Sequence, residues 1–150
     1  MTTGNYRFST QVTDMDRERI HTWLSTGAYW AIGRPRALQD AAIDASVNFG
    51  MFDVMTGQQV AYARVVTDSV TFAWLCDVFV DPSVRGHGVA VALVRNICGF
   101  LDDMNLKRVV LATESANGLY EKFGFEPLEQ PAHWMARTAP IAAALDNRLA

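Results

Sequence analysis

The stretch Leu75-Cys76-Asp77-Val78-Phe79-Val80-Asp81-Pro82-Ser83-Val84-Arg85-Gly86-His87-Gly88-Val89-Ala90 decides the fold. It reads as an apolar strand, a proline-stopped turn, a glycine-bearing loop and the start of a helix. Leu75, Val78, Phe79 and Val80 suit a buried strand. Pro82 cannot donate to a sheet ladder, so the strand should end near it. Gly86 and Gly88 remove side chains where the backbone turns and where something must come close. Beyond Val89 the period becomes helical, with Ala90, Leu93, Val94, Ile97, Leu101 and Met104 on one face. A loop of bare N–H groups opening a helix binds anions, because the first helical N–H groups lack partners and the helix dipole favours negative charge. The expected ligand is a phosphate or pyrophosphate.

Two familiar phosphate loops do not fit. G-x-x-x-x-G-K-[ST] needs a lysine that is absent here. Gly86-His87-Gly88-Val89-Ala90-Val91 lacks the last glycine of G-x-G-x-x-G. Arg85-Gly86-His87-Gly88-Val89-Ala90 instead resembles the [QR]-x-x-G-x-[GA] loop of the GNAT superfamily of N-acetyltransferases. A second block, Ala116-Asn117-Gly118-Leu119-Tyr120-Glu121-Lys122-Phe123-Gly124-Phe125, resembles the A-x-x-L-Y-x-K-x-G-F signature of the same superfamily. The two blocks cover roughly the C-terminal half. Where the family often carries Asn, three residues before Ala116, this chain has Thr113, and Asn117 is the substitute considered for that cofactor contact.

The resemblance implies acetyl-CoA as cofactor. Its pyrophosphate would meet Arg85, Gly86, His87, Gly88, Val89 and Ala90. Its pantetheine arm would lie along the splayed central strand at Val78, Phe79 and Val80, with Asn117 and Tyr120 opposite. The implied roles stand beside plainer ones. Tyr120 is a candidate acid for the leaving thiolate, or else a core tyrosine. Asp77, a carboxylate among apolar residues, could take a proton through water or bind a substrate ammonium, or it could pair with an arginine such as Arg64. Arg85 suits a phosphate ligand or a brace for the loop. Nothing marks Cys76 as a nucleophile. Tyr29, Trp30, Arg34 and Arg36 sit where the family shapes its acceptor pocket. An arginine there could hold a substrate carboxylate; the alternative is ordinary packing and solvated charge.

The whole chain agrees with a small globular enzyme. Its 150 residues suit one domain, 1–150, with 139–150 as a C-terminal helical extension. Half the residues are hydrophobic and 19% charged, and the net charge is -3, which points to neither a nucleic-acid nor an anionic-membrane partner. Cys76 and Cys98 read as reduced, buried thiols of a cytoplasmic protein, and neither they nor the three His have metal spacing.

Further outward, the pattern predicts a strand at 6–10 and helices at 16–25 and 35–46. A three-stranded meander follows at 47–54, 59–66 and 71–80. After the helix at 89–103 come a parallel strand at 109–112, a short helix at 116–123, a hairpin of 125–128 with 133–136, and an alanine-rich helix from Pro140 to Ala150. The fold class is α/β: a mixed, mostly antiparallel sheet of about six or seven strands with helices on both faces. The expected function is transfer of acetyl to a small-molecule amine. The alternatives are acetylation of a protein or peptide, and a CoA-binding regulator without turnover. A homodimer could bury the apolar face of the tail.

Overall fold

Six strands lie side by side in chain order in the computed structural model, which describes residues 2–139. They are β1 (Thr2–Thr3), β2 (Tyr6–Ser9), β3 (Val47–Asp53), β4 (Gln59–Thr67), β5 (Phe72–Val80) and β6 (Arg108–Val110). All neighbours are antiparallel except β5 and β6. Short turns make the β3–β4–β5 meander. Asp68 fixes the second turn by accepting from the Val70 and Thr71 N–H groups and the Thr71 hydroxyl. The long crossover through α3 (Val89–Asp102) makes β6 parallel to β5.

The two faces of the sheet are covered by different helices. On one, α3 lays Leu93, Val94, Ile97 and Leu101 against Phe49, Ala61, Ala63, Val65, Ala73 and Leu75. On the other, α1 (Arg17–Gly27) and α2 (Arg36–Asp44) bury Ile20, Trp23, Leu24 and Ile43 against Phe52, Tyr62 and Phe79. Asp16 caps α1, its carboxylate accepting from the Arg19 N–H at 3.0 Å. On α2 the buried residues are Ile43 and, wholly buried beside it, the polar Gln39.

One irregularity in β5 positions the site. Tyr62 pairs with Phe79 and Arg64 with Cys76, so the single residue Ala63 faces both Asp77 and Val78. This is a β-bulge, and Asp77 takes its left-handed position at φ +53°. Strict alternation would put Asp77 on the α3 face with Ala73 and Leu75. The bulge turns it to the α1–α2 face and returns Val78 and Val80 to the α3 side.

The C-terminal region differs from the expected pattern. Residues 125–128 and 133–136 form no hairpin; a single 3-10 turn, Pro131–His133, interrupts an irregular segment. Pro127 and Pro131 remove two backbone donors there, and Met135 is 95% exposed, so the segment has neither a complete ladder nor an apolar face to bury. Strand β6 ends at Val110, leaving Leu111 and Ala112 outside the sheet. The helix expected at 116–123 is shorter, α4 (Asn117–Glu121). Cys76 and Cys98 are half-buried rather than buried. The helix expected from Pro140 to Ala150 lies outside the described residues.

Candidate active site

Strand β5 is paired on one edge for its whole length but on the other only at Phe72, Ala73 and Trp74, which face Arg108, Val109 and Val110 of β6. From Leu75 onward that second edge has no strand neighbour among the described residues. The Asp81 N–H donates to the Val60 carbonyl of β4 at 2.8 Å. By alternation the backbone groups of Val80 and Val78 therefore point to the open edge. Arg85 Nε takes the Val80 carbonyl at 3.1 Å, which leaves the Val80 N–H directed there.

The open edge forms one wall of a groove of about 430 Å³. Val78 and Val80 line it on the strand side, Arg85, Gly86, Gly88, Val89 and Ala90 on the loop side, and Ala116, Leu119 and Tyr120 on the α4 side. Gly86 and Gly88 have φ of +84° and +78°, and a Cβ on either would meet nothing within 4 Å. The space over them is therefore free for a ligand. Gly88 is the N-cap of α3 and offers no capping side chain, so the first N–H groups of that helix are unspent among the described residues. This loop-and-helix end fits a pyrophosphate, and the open edge fits an amide-bearing arm. A second, larger cavity of about 1300 Å³ lies between α3, β6 and residues 123–134. It contains neither Gly86 nor Gly88, so the smaller groove matches the anion-binding loop.

Among the described residues Tyr120 is the one that lines both cavities. Its ring packs edge-on against Phe125 at 5.8 Å, and its hydroxyl has no partner among the described residues. Burial pushes its pKa up to about 12, so at neutral pH the phenol holds its proton. Thr113 Oγ1 accepts from the Ala116 N–H at 3.0 Å and thereby fixes the entry to α4.

On the opposite face the bulge delivers Asp77 into a cluster of donors. Its Oδ1 accepts from Trp30 Nε1 at 2.8 Å. Its Oδ2 accepts from Arg34 Nη1 at 2.8 Å and from Arg64 Nε at 2.7 Å. Burial alone would raise its pKa, but the Arg34 hydrogen bond and the charges of Arg64 and Arg34 outweigh it and hold the carboxyl below its ordinary range. A carboxylate so loaded is a poor proton acceptor. The arrangement realises the arginine pairing that was the alternative to a base, with Arg34 added from the α1–α2 connector. Burial raises the Cys76 thiol to about 11 despite the nearby Arg64, leaving it protonated.

Other expected positions lie outside the groove. Phe79 points to the α1–α2 face, stacked on Trp23 at 5.7 Å, because it alternates with Val78 and Val80. The Arg85 guanidinium lies over its ring at 5.3 Å, bracing the loop. His87 is exposed and its Nδ1 lies 3.0 Å from the Val84 carbonyl. Asn117 lines the larger cavity instead. Tyr29 is 63% exposed, edge-on against Trp30. Arg36 pairs with Asp40 on the outside of α2. Val84, Val91, Ala116 and Leu119 also line the groove without having been expected as cofactor contacts, although Ala116 and Leu119 stand in the second motif; Gln39 escaped because nothing in its polarity announces its burial.

The model of the acetyltransferase (GNAT) family matches residues 17–125. A solved structure from Xanthomonas campestris pv. campestris, of a protein belonging to the GNAT family, is 43% identical. It covers 90% of this chain and 94% of its own, with a TM-score of 0.84. The acetyltransferase-named protein FG08082 of Gibberella zeae is 29% identical over 140 residues, 81% of this chain and 78% of its own length. A Clostridium acetobutylicum structure with acetyl-CoA shares the fold at 17% identity and a TM-score of 0.59, covering 89% of this chain and 95% of its own.

Proposed function

The chain is a member of the acetyltransferase (GNAT) family, and from that premise we propose that it moves an acetyl group from acetyl-CoA to the amine of a small molecule by direct attack in a ternary complex. The observation that carries this reading is the coincidence, in one groove, of an open strand edge, an anion loop opened by Gly86 and Gly88, and a buried phenol.

Bound acetyl-CoA supplies an activated acyl thioester. The residues do the rest. The N–H groups of the Gly86–Gly88 loop and the first turn of α3 hold the pyrophosphate. Val78 and Val80 hold the pantetheine amides as an added strand would be held. A backbone N–H on the open edge of β5 is placed to stabilise negative charge on the thioester oxygen. The Tyr120 hydroxyl gives its proton to the sulfur as the C–S bond breaks and the new C–N bond forms. With Asp77 loaded by three donors, solvent takes a proton from the substrate ammonium, and the free amine so formed attacks the thioester carbon.

Isothermal titration with acetyl-CoA, followed by release of the CoA thiol in the presence of a panel of amines, tests this reading. Binding with amine-dependent thiol release supports it. Binding without release from any amine would leave a CoA-binding protein rather than an enzyme. No binding would remove the groove assignment.

A further inference from the structure

We propose that Arg34 and Arg64 form an anion subsite, so that the amine acetylated at the groove carries its own carboxylate or phosphate group. The proposal rests on the acetyltransferase reading above and names its acceptor class.

The cluster around Asp77 holds one carboxylate and two guanidinium groups. The other nearby acids are engaged elsewhere: Asp40 and Asp44 with Arg17 and Arg36, and Asp81 with Arg19. Among the described residues one positive charge is therefore left without a counter-ion in a setting only partly open to water, the two arginine side chains being 15% and 16% exposed. Charge held in such a setting attracts an anion more strongly than charge at the free surface.

The hydrogen-bond inventory points the same way. Arg34 uses Nη1 for both Asp77 and Gln39, and its Nε and Nη2 have no partner among the described residues. Arg64 uses Nε for Asp77 and Nη1 for Ser46 Oγ, and its Nη2 has none. Gln39 Oε1 accepts from Arg34 Nη1 at 2.9 Å, while Gln39 Nε2, on the same planar amide, is buried with no partner. The cluster is rich in donors and short of acceptors: the free arginine N–H groups keep access to water, and Gln39 Nε2 is the wholly buried unpaired donor among the described residues, which is costly. A carboxylate or phosphate supplies several acceptor oxygens at once and can engage the planar forks of arginine.

A purely structural brace does not account for this surplus. Tying the α1–α2 connector to the sheet needs Trp30 and one arginine on Asp77, and Arg64 on the adjacent strand would neutralise Asp77 by itself. Location favours a substrate role. Asp77 and Val78 are consecutive but face opposite sides of the sheet, at the point where β5 has parted from β6. The Asp77 backbone therefore lies within about one residue rise of Val78 on the groove wall, and the two arginines reach its carboxylate from the opposite face of the sheet. Trp30, 44% exposed, stands over the cluster from the connector.

The test has two arms. The first saturates the protein with CoA, which fills the Gly86–Gly88 loop, and titrates N-acetylglycine or inorganic phosphate by calorimetry, with N-acetylglycinamide as the neutral control. Saturable binding of at least one anion, about tenfold or more tighter than the control and about tenfold weaker in Arg34→Gln and Arg64→Gln, is expected. Which anion binds separates carboxylate from phosphate. Equal binding of anion and control, or anion binding untouched in both variants, overturns the proposal. The second arm compares kcat/KM for matched acceptors: glycine, β-alanine and 4-aminobutyrate against their amides, and phosphoethanolamine against ethanolamine. The anionic member of the productive pair should be preferred by about tenfold or more. That preference should fall in Arg34→Gln and be partly restored in Arg34→Lys. Neutral members turned over as well as anionic ones would sink the subsite while leaving acetyl transfer intact. Binding in the first arm with no turnover of any pair would retain the subsite and overturn the acetyltransferase reading. Melting temperatures of the variants show that each is folded.

Discussion

Replacing Asp77 by Asn tests the energetic centre of the site. Asn matches the shape of Asp and tolerates the left-handed position at φ +53° as well as Asp does, so the bulge is not strained further. The side chain can still accept through its single carbonyl oxygen, but Arg34 and Arg64 lose their common counter-charge. Breaking a buried ion pair by removing one partner costs about 3–5 kcal/mol. The arginines keep 15–16% exposure and some access to water, so the lower end, about 3 kcal/mol, applies. For a chain of this size each kcal/mol shifts Tm by about 2–4 °C, giving a fall of about 6–12 °C. The pH dependence has a definite sign. The folded pKa of Asp77 is depressed, so its stabilisation is present above the unfolded carboxylate value, about 3.9, and is lost as pH falls through the folded value. The difference between wild type and Asp77→Asn should therefore be full at pH 7 and shrink below about pH 4. Asp68 and Asp81, also depressed, are common to both proteins and cancel in the difference. Thermal melts followed by circular dichroism from pH 7 to pH 2.5, in chloride without sulfate or phosphate, measure it. A Tm within about 2 °C of wild type at pH 7, or a gap that persists undiminished at pH 2.5, would refute the assignment of a charged, stabilising Asp77.

Further outcomes follow from the same geometry. Gly86→Val or Gly88→Val puts a β-branched residue at positive φ, costing about 1–2 kcal/mol of backbone strain, and fills the space over the loop; acetyl-CoA binding by calorimetry should vanish while the circular dichroism spectrum stays folded. Tyr120→Phe keeps the ring against Phe125 and should leave Tm and acetyl-CoA affinity nearly unchanged while lowering kcat by about 10²-fold; an equal kcat, with chemistry shown to be rate-limiting, makes Tyr120 a packing residue. Leu93→Ala, at a fully buried position of α3, should cost about 2–5 kcal/mol in urea unfolding, since it opens a cavity between helix and sheet.

Much of the groove was legible in the sequence because it is built from local chemistry. Proline ending a strand, glycines that need positive φ and an apolar helical stripe are all recorded within the residues 75 to 104. The meander was legible for the same reason, since Asp68 and Gly57 mark its turns. The bulge was not. Nothing in Cys76-Asp77-Val78 announces an extra residue, because a bulge is a property of two strands and only the pairing with Ala63 defines it. The site on the far face therefore escaped in detail. Asp77 and Arg64 could be paired in principle, but the roles of Arg34 and Gln39 depend on how the α1–α2 connector docks. The hairpin expected of 125–128 with 133–136 shows the opposite error: Pro127 removes a ladder donor inside the first expected strand, and Pro131 opens a 3-10 turn that runs into the second.

Direct transfer is tested most plainly by a single-turnover experiment with acetyl-CoA labelled at the acetyl carbonyl, an accepted amine and enzyme in excess, quenched at intervals and read by mass spectrometry of both protein and small molecules. The account predicts that the label passes to an amide of the acceptor in step with release of the CoA thiol, with no acetylated protein at any time. Label appearing first on the chain, on Cys76 or elsewhere, or released as acetate with no amide formed, would contradict it.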